Sequence, residues 1–428
     1  MVLGGLLLLL PPVQERVFWR IDQARLWVFY TLNPPDADVF TPDSQASPDA
    51  VVAAAVQATL TQAAGLVTPT LEPSPTFTYT PLPPDAPTPT PTATPVPLPP
   101  SALIDNVPYV DQHYGFNNCA PATLAMMLQF NGWPGTRENI SSAVKPFDRD
   151  KNVMPYELVD FTLAQPDLRA VTRVGGTDEL LKRMVSNGYP VMVERGVYLR
   201  DLTGKISWMG HYQIVYGYDD EKQTWNVKDA FEDNGSAFII SYDNLTQGWR
   251  SFNYAFLLVY SPAQEAEVMA LLGEYADDTA ANQIAARIAS DEIFSTTGQD
   301  KFFALFNRGS SLVRMQDYAG AALIYDQAFQ LYAELERENR PWRMMWYQTG
   351  PYYAYYWTGR YYDVLNLADQ TINGASEPYL EESFYWRARA KAALGDSSGA
   401  VEDLRKSLDY HPYFGPSMAM MTELGAAP

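Results

Sequence analysis

Hydrophobic and polar positions follow two different periods between residues 101 and 262. Apolar residues recur at helical spacing in 119–131, 155–164 and 177–188, and Gly188 suits the position just after a helix end. The later segments are short strand-like runs, at 189–194, 211–218, 224–229, 236–242 and 253–260. Helices that precede a largely sequential sheet predict an α+β domain.

From residue 263 to residue 428 the pattern is helical throughout and contains an internal repeat. The segment 306–329 aligns with 385–408, and 346–372 is a weaker copy. Small residues align with small ones and bulky residues with bulky ones: Gly309 with Ala388, Ala321 with Ala400, and Tyr325 with Leu404. The turns between paired helices are predicted at Gln316, Gly359 and Gly395. This pattern resembles the tetratricopeptide repeat, which binds peptides or packs on a neighbouring domain.

The N-terminal segment, residues 1–35, is apolar and then amphipathic. The run 2–10 is too short to cross a bilayer core of about 30 Å, so we expect it to be the end of a truncated membrane anchor or signal segment. The following residues, up to Pro34, place apolar side chains at helical spacing with arginines between them. This pattern predicts either an interfacial amphipathic helix or a short soluble helix.

Residues 36–100 are predicted to be a linker. It begins with a short Ala-rich helix at 51–64, and 13 of the 33 residues from Thr68 to Pro100 are proline and 9 are threonine. Such a segment cannot build a core and is expected to stay extended as a disordered stalk. A stalk after an apolar segment indicates a protein of the cell envelope, anchored or secreted, whose globular part faces outward.

Composition excludes several classes of function. The net charge of −20 argues against nucleic-acid partners and against binding to anionic lipid through a basic patch. The single cysteine excludes an internal disulfide framework and a cysteine-based metal site. No metal or organic cofactor is implied by any motif.

The single cysteine, Cys119, lies at the start of a predicted helix with Pro121 in its first turn. Unpaired N–H groups and the helix dipole favour an anion there, although an isolated cysteine is often an inert buried residue. A cysteine nucleophile needs a base. Of the three histidines, His113 lies in a loop, His411 is expected on the surface, and His211 opens a strand.

The segment 211–229 predicts an antiparallel hairpin with its turn centred on Asp220. In that register His211 lies directly opposite Asp229 on the same face of the sheet. A carboxylate in this position would orient the imidazole and stabilise its charged form.

Three segments of the chain carry four motifs, in chain order: VPYVDQHYGFNNCAPATLAMMLQFNGW (107–133), with a glutamine and a cysteine motif, GHYQIVYGYDD (210–220) and WNVKDA (225–230). Together they resemble the C39-like branch of the papain-fold cysteine peptidases. The resemblance implies a papain-like domain at 101–262 in which Cys119 is the nucleophile, His211 the general base and Asp229 its orienting group, with Gln112 donating to the oxyanion. Gln112 is seven residues before the cysteine, where six is more usual, and Asp229 is followed by Ala230 instead of proline.

The function implied by this resemblance is hydrolysis of a peptide or isopeptide bond through a Cys119 thioester. The expected partners are a peptide or protein substrate, a protein bound at the helical repeats, and a membrane contacted by the N-terminal segment. The alternative is an inactive papain-like fold that forms a protein-binding scaffold with the repeats. An amidase that acts on cell-wall peptides would share the same chemistry.

Overall fold

The computed structural model describes residues 11–35, 37–43, 97–113, 117–147, 150–200, 206–232 and 235–427. The N-terminal helix is α1 (Pro11–Leu32). The elements of the α+β domain (residues 97–262) are β1 (Ser101–Leu103), α2 (Cys119–Phe130), α3 (Arg137–Val144), α4 (Pro155–Leu163), β2 (Arg169–Arg173), α5 (Asp178–Ser186), β3 (Val191–Arg200), β4 (Ile206–Asp219), β5 (Thr224–Asp229), β6 (Phe238–Ser241), α6 (Tyr242–Arg250) and β7 (Phe256–Tyr260).

These strands form one antiparallel sheet in the order β2-β7-β3-β4-β5-β6, with β1 added along β4. Successive residues of a strand face opposite sides, so β3 contributes to two cores. Met192 packs with α2 on one face, whereas Val191 and Val193 pack with α5 and α6 on the other. The predicted α+β architecture is confirmed, and the sheet is covered by helices on both faces.

The helical domain (residues 263–427) contains α7 (Glu265–Leu272), α8 (Asp278–Ser295), α9 (Gly298–Arg314), α10 (Tyr318–Glu334), α11 (Met344–Tyr347), α12 (Gly350–Trp357), α13 (Tyr361–Asn373), α14 (Glu381–Ala393), α15 (Ser397–Tyr410) and α16 (Gly415–Glu423). Gln316, Gly359 and Gly395 lie between paired helices with φ of 64°, 75° and 91°. This left-handed conformation suits a sharp turn between two helices. The helix-rich region is confirmed, and its relation to tetratricopeptide repeats stays a prediction.

One of the hydrophobic cores contains side chains from both domains. Trp208 of β4 stacks on Phe252, which follows α6, with ring centroids 5.7 Å apart. The same indole meets Phe303 of α9 at 5.6 Å and Tyr347 of α11 at 5.7 Å. The helical domain therefore packs directly against the strand that carries His211.

The chain on the N-terminal side of the predicted stalk also packs on the helical domain. Arg25 of α1 is 3.1 Å from the Glu377 carboxylate. Phe40 is 4% exposed, and its ring lies edge-on against Phe329 with centroids 4.8 Å apart. Among the described residues, no helix is both long and apolar enough to cross a membrane. The predicted Ala-rich helix at 51–64 and most of the Thr/Pro stalk lie outside the described residues.

We expect Phe40→Ala to destabilise the full chain, because the ring fills a space between α10 and α12 that no other side chain can occupy. Truncation of a buried phenylalanine costs about 3–5 kcal/mol of unfolding free energy. Urea denaturation followed by tryptophan fluorescence measures this loss. Phe294→Ala is the matched control, since Phe294 is 88% exposed and its loss should change stability by less than about 0.5 kcal/mol. Equal effects of the two variants would contradict the packing of Phe40.

Candidate active site

Cys119 is the first residue of α2, and the loop before it is fixed by two asparagines. Asn117 has a φ of 49° and donates through its amide to the backbone carbonyl of Asp150. The buried side chain of Asn118 accepts hydrogen bonds from Ser141 and Lys145, each at 3.1 Å. The helix then runs through a fully buried apolar segment from Ala122 to Leu128, interrupted only by Thr123. The half-buried thiol is thus held at a helix N-terminus, as the sequence predicts.

His211 lies on β4 beside this thiol and is 3% exposed. Its Nε2 is 2.8 Å from Oδ1 of Asp229. Cys119 is close enough to the imidazole to help raise the pKa of His211. The structure therefore brings Cys119, His211 and Asp229 together, with the Nε2 side of the ring turned to Asp229.

The predicted partner of Asp229 is wrong by two residues. The structure pairs Asp229 with Gln213, while a bulge between Val215 and Gly217 shifts the ladder. Asp219 pairs with Thr224, so the turn is centred between Glu221 and Lys222 instead of on Asp220. His211 and Gln213 are two residues apart on the same face, and the carboxylate reaches His211 diagonally.

Burial and charge shift the pKa values of His211 and Asp229 in opposite directions. Burial by itself would lower the pKa of His211, but the charge and hydrogen bond of Asp229, together with Cys119, raise it to about 10. Burial would raise the pKa of Asp229, but the His211 charge and three hydrogen bonds hold it at about 2. At neutral pH the site therefore holds an imidazolium against a carboxylate.

Asp229 is fixed by more than His211. Its Oδ2 accepts a hydrogen bond of 2.5 Å from the amide of Gln213, and its Oδ1 accepts one of 2.9 Å from the backbone N–H of Phe231. Gln213 is in turn held by Arg195, whose Nη1 lies 3.2 Å from its carbonyl oxygen. The sequence analysis missed Gln213 and Arg195. The available signal was the two-residue spacing that places Gln213 on the face of His211.

The backbone of Gln112 is bonded to the residue that follows Asp229. Its N–H donates to the carbonyl of Ala230 at 3.0 Å, which ties the loop before Cys119 to the residue after Asp229. The side-chain oxygen of Gln112 is buried and has no hydrogen-bond partner among the described residues. An amide held in this way is available for a further polar group.

The other two histidines, His113 and His411, are separate from the group formed by Cys119, His211 and Asp229. His113 is exposed, contacts Asp111 through Nδ1 at 2.6 Å and stacks on Phe231 at 5.4 Å. The prediction that His411 lies on the surface is wrong. It is half-buried because α14 packs against its segment, and its Nδ1 is 3.0 Å from a carboxylate oxygen of Glu381.

Comparison with known proteins finds a family similar to this domain. Residues 104–256 match the sequence profile of the Peptidase_C39 like family. This part of the chain is therefore similar to a C39-like peptidase domain. Two solved structures are similar: a protein assigned as a C39-like peptidase from Bacillus anthracis, and xylellain, a cysteine protease from Xylella fastidiosa.

The first shares 18% sequence identity with a TM-score of 0.31, over 38% of this chain and 98% of that protein. The second shares 16% identity with a TM-score of 0.30, over 39% of this chain and 87% of the other. A search of curated protein sequences found no match.

A cavity of about 520 Å³ opens between the C39-like domain and the helical domain. Its wall includes His211, Asp229 and Phe231 from the C39-like domain. The opposite wall includes Gln299, Asp300 and Phe303 of α9. Trp208 both lines this cavity and packs against the aromatic rings of the helical domain.

The helical domain also holds the segment of the C39-like domain just before His211. Arg343 donates through Nη1 to the Trp208 carbonyl at 3.0 Å and to the Ser207 hydroxyl at 2.6 Å. A Cβ at Gly210 would lie 2.9 Å from the Tyr347 ring, so only glycine fits at this close approach. The position of His211 thus depends on contacts from both domains.

Proposed function

We propose that this protein is a cysteine peptidase that hydrolyses a peptide or isopeptide bond through a thioester on Cys119. The observation that supports this function best is the 2.8 Å contact between His211 and Asp229, with Cys119 beside the same imidazole. The match of residues 104–256 to the Peptidase_C39 like family supports the same chemistry.

In the first half-reaction the proton already lies on His211, and the thiolate sulfur of Cys119 attacks the carbonyl carbon of the substrate amide. The C–N bond breaks as His211 gives its proton to the leaving amine, which leaves an acyl group on sulfur. Water then attacks the thioester while His211 accepts a proton from it, the C–S bond breaks, and the pair of thiolate and protonated imidazole is restored. The raised pKa of His211 suits this starting state, because it keeps the proton on the imidazole at neutral pH.

Negative charge develops on the carbonyl oxygen during both attacks and needs hydrogen-bond donors. The backbone N–H of Cys119 is one, since the first N–H groups of a helix have no acceptor within it. We assign the second to the side-chain amide of Gln112, whose loop is tied to Ala230 beside Asp229. The backbone bond to Ala230 fixes the backbone of Gln112 beside the residue that follows Asp229.

The pH dependence of Cys119 alkylation tests this function without knowledge of the substrate. With one cysteine in the chain, intact mass after iodoacetamide treatment reports a single site. An ordinary thiol with a pKa of about 8.5 reacts roughly 75-fold more slowly at pH 6 than at pH 8. We expect the rate at Cys119 to change by less than about threefold over that range, because His211 accepts the proton.

His211→Ala is the decisive comparison for this measurement. It removes the proton acceptor, so the alkylation rate of Cys119 should then depend on pH as it does for an ordinary thiol. If the unmodified protein already shows the ordinary dependence, the scaffold function becomes the better interpretation. In that case the C39-like domain and the helical repeats would serve together as a protein-binding surface.

We further propose that the enzyme acts at the outer face of the cell envelope, held to the membrane by its N-terminal segment. The apolar run at 2–10 and the amphipathic pattern that follows it support this location. Cell fractionation and protease accessibility of the full chain test it. Recovery of the protein from the cytoplasmic fraction would contradict it.

A further inference from the structure

The carboxylate of Asp229 uses both of its oxygens. Oδ1 accepts from His211 and from the backbone of Phe231, whereas Oδ2 accepts from the Gln213 amide alone. Gln213 is 2% exposed and lines the same cavity as Asp229. Gln213 therefore fixes the second oxygen of the carboxylate, while His211 and Phe231 hold the first.

The orientation of the Gln213 amide is set by Arg195. An amide can present either its oxygen or its NH₂ group to a neighbour, but a guanidinium can only donate. Because Nη1 of Arg195 lies 3.2 Å from Gln213 Oε1, the NH₂ group must face Asp229. Arg195 is itself fixed by Asn244, whose carbonyl and side-chain oxygens lie 2.6 Å and 3.0 Å from Nη2.

The neutral amide also separates two charges. A guanidinium bound directly to Asp229 would neutralise the carboxylate and weaken its attraction for the imidazolium of His211. With Gln213 between them, Arg195 imposes geometry while the charge of Asp229 remains available to His211.

We propose that Gln213 and Arg195 form a positioning pair that holds Asp229 in the orientation needed to keep the proton on His211. The use of that proton in peptide hydrolysis rests on the proposed function above, but the positioning itself does not. The groups that raise the pKa of His211 are Asp229 on β5 and Cys119 on α2, and Arg195 is its cross-strand neighbour on β3.

Two isosteric variants test the pair. Gln213→Met removes both the donor and the acceptor, so Oδ2 of Asp229 loses its donor while Oδ1 keeps its bonds to His211 and Phe231. Proton binding by His211 should then weaken about tenfold or more. Gln213→Glu keeps the acceptor for Arg195 and places a protonated or charged oxygen beside Asp229. Proton binding by His211 should then equal or exceed that of the unmodified protein.

The readout is the ring signal of His211 in nuclear magnetic resonance spectra of histidine-labelled full-length protein, titrated from pH 6 to pH 11. Only three histidines are present, and His211→Ala assigns the signal. Gln165→Met is the matched control, because its amide bonds Trp133 and the backbone of Phe161 instead of Asp229.

A merely structural glutamine would give a different result. Both Gln213 variants would then unfold at a lower temperature while the His211 titration stayed at its original midpoint, and this outcome overturns the proposal. Since the titration needs no substrate, a protein without peptidase activity can still show the positioning effect. Loss of turnover with an unchanged titration would count against the pair and not against the peptidase.

Discussion

Cys119→Ser is expected to abolish peptide hydrolysis while leaving the fold intact. A hydroxyl in place of the thiol keeps the size and the helix-start position, but it is far less acidic and His211 cannot keep its proton. We expect the rate to fall on the order of 10⁴-fold or more. The measurement is the appearance of new N-termini in a peptide library, counted by mass spectrometry.

The same variant also separates the Cys119 mechanism from an effect on the fold. Circular dichroism and the melting temperature should match those of the unmodified protein, since the half-buried side chain changes by one atom. Cys119→Ala serves as a second loss-of-thiol variant. Hydrolysis that survives in both variants would exclude the Cys119 mechanism, whereas binding of a partner that survives without hydrolysis would be expected of an enzyme and a scaffold alike.

The second large effect is expected from Asp229→Asn. An amide cannot stabilise the imidazolium, so burial becomes the dominant influence and the pKa of His211 should fall from about 10 to below its ordinary 6.5. The rate of hydrolysis should drop on the order of 10³-fold at pH 7. Glu232→Gln is the control, because this carboxylate lines the same cavity without contacting His211.

The ion pair between His211 and Asp229 should also make the unfolding free energy depend on pH. The pKa of His211 is raised in the folded state, so its contribution is complete below pH 6.5 and is lost as the pH rises toward 10. The pKa of Asp229 is lowered, so its contribution is present above pH 4 and is lost as the pH falls toward 2. Each titration changes the unfolding free energy by up to about 1.4 kcal/mol per pH unit.

The stability difference between the unmodified protein and Asp229→Asn should therefore be largest between pH 4 and pH 6.5. It should narrow as the pH rises from 6.5 to 10. Urea denaturation of both proteins at pH 5, 7 and 9 measures this trend. A difference that is constant over these values would mean that His211 is not charged in the folded protein.

Cys119, His211 and Asp229 could be found in the sequence because each lies in a local motif. Cys119 starts a helix, His211 opens a strand, and Asp229 ends the next strand. The pairing of Asp229 was missed because a bulge between Val215 and Gly217 shifts the ladder, and the isolated Gly217 within the strand was its sequence signal. Such a bulge is set by the strands on either side.

Other features depend on tertiary contacts that no local pattern contains. Helix α6 and strand β2 were not predicted, since each is short and is stabilised by packing on the sheet. The role of Arg195 becomes visible only when β3 and α6 are adjacent. The burial of Phe40 requires the space between α10 and α12, which forms only in the folded helical domain.

The packing of Phe40 has a mechanical consequence for the whole chain. A pulling force applied at the N-terminal segment is transmitted to the helical domain by the contacts of α1 and residues 37–43. The Thr/Pro-rich segment does not bear this force while those contacts hold. That segment begins and ends on the same folded body, since Pro99 and Pro100 are held by Tyr218 and Asp220. Doubling the length of such a loop costs only about 0.6 kcal/mol. Its length can therefore vary without changing the distance between the N-terminal segment and Cys119.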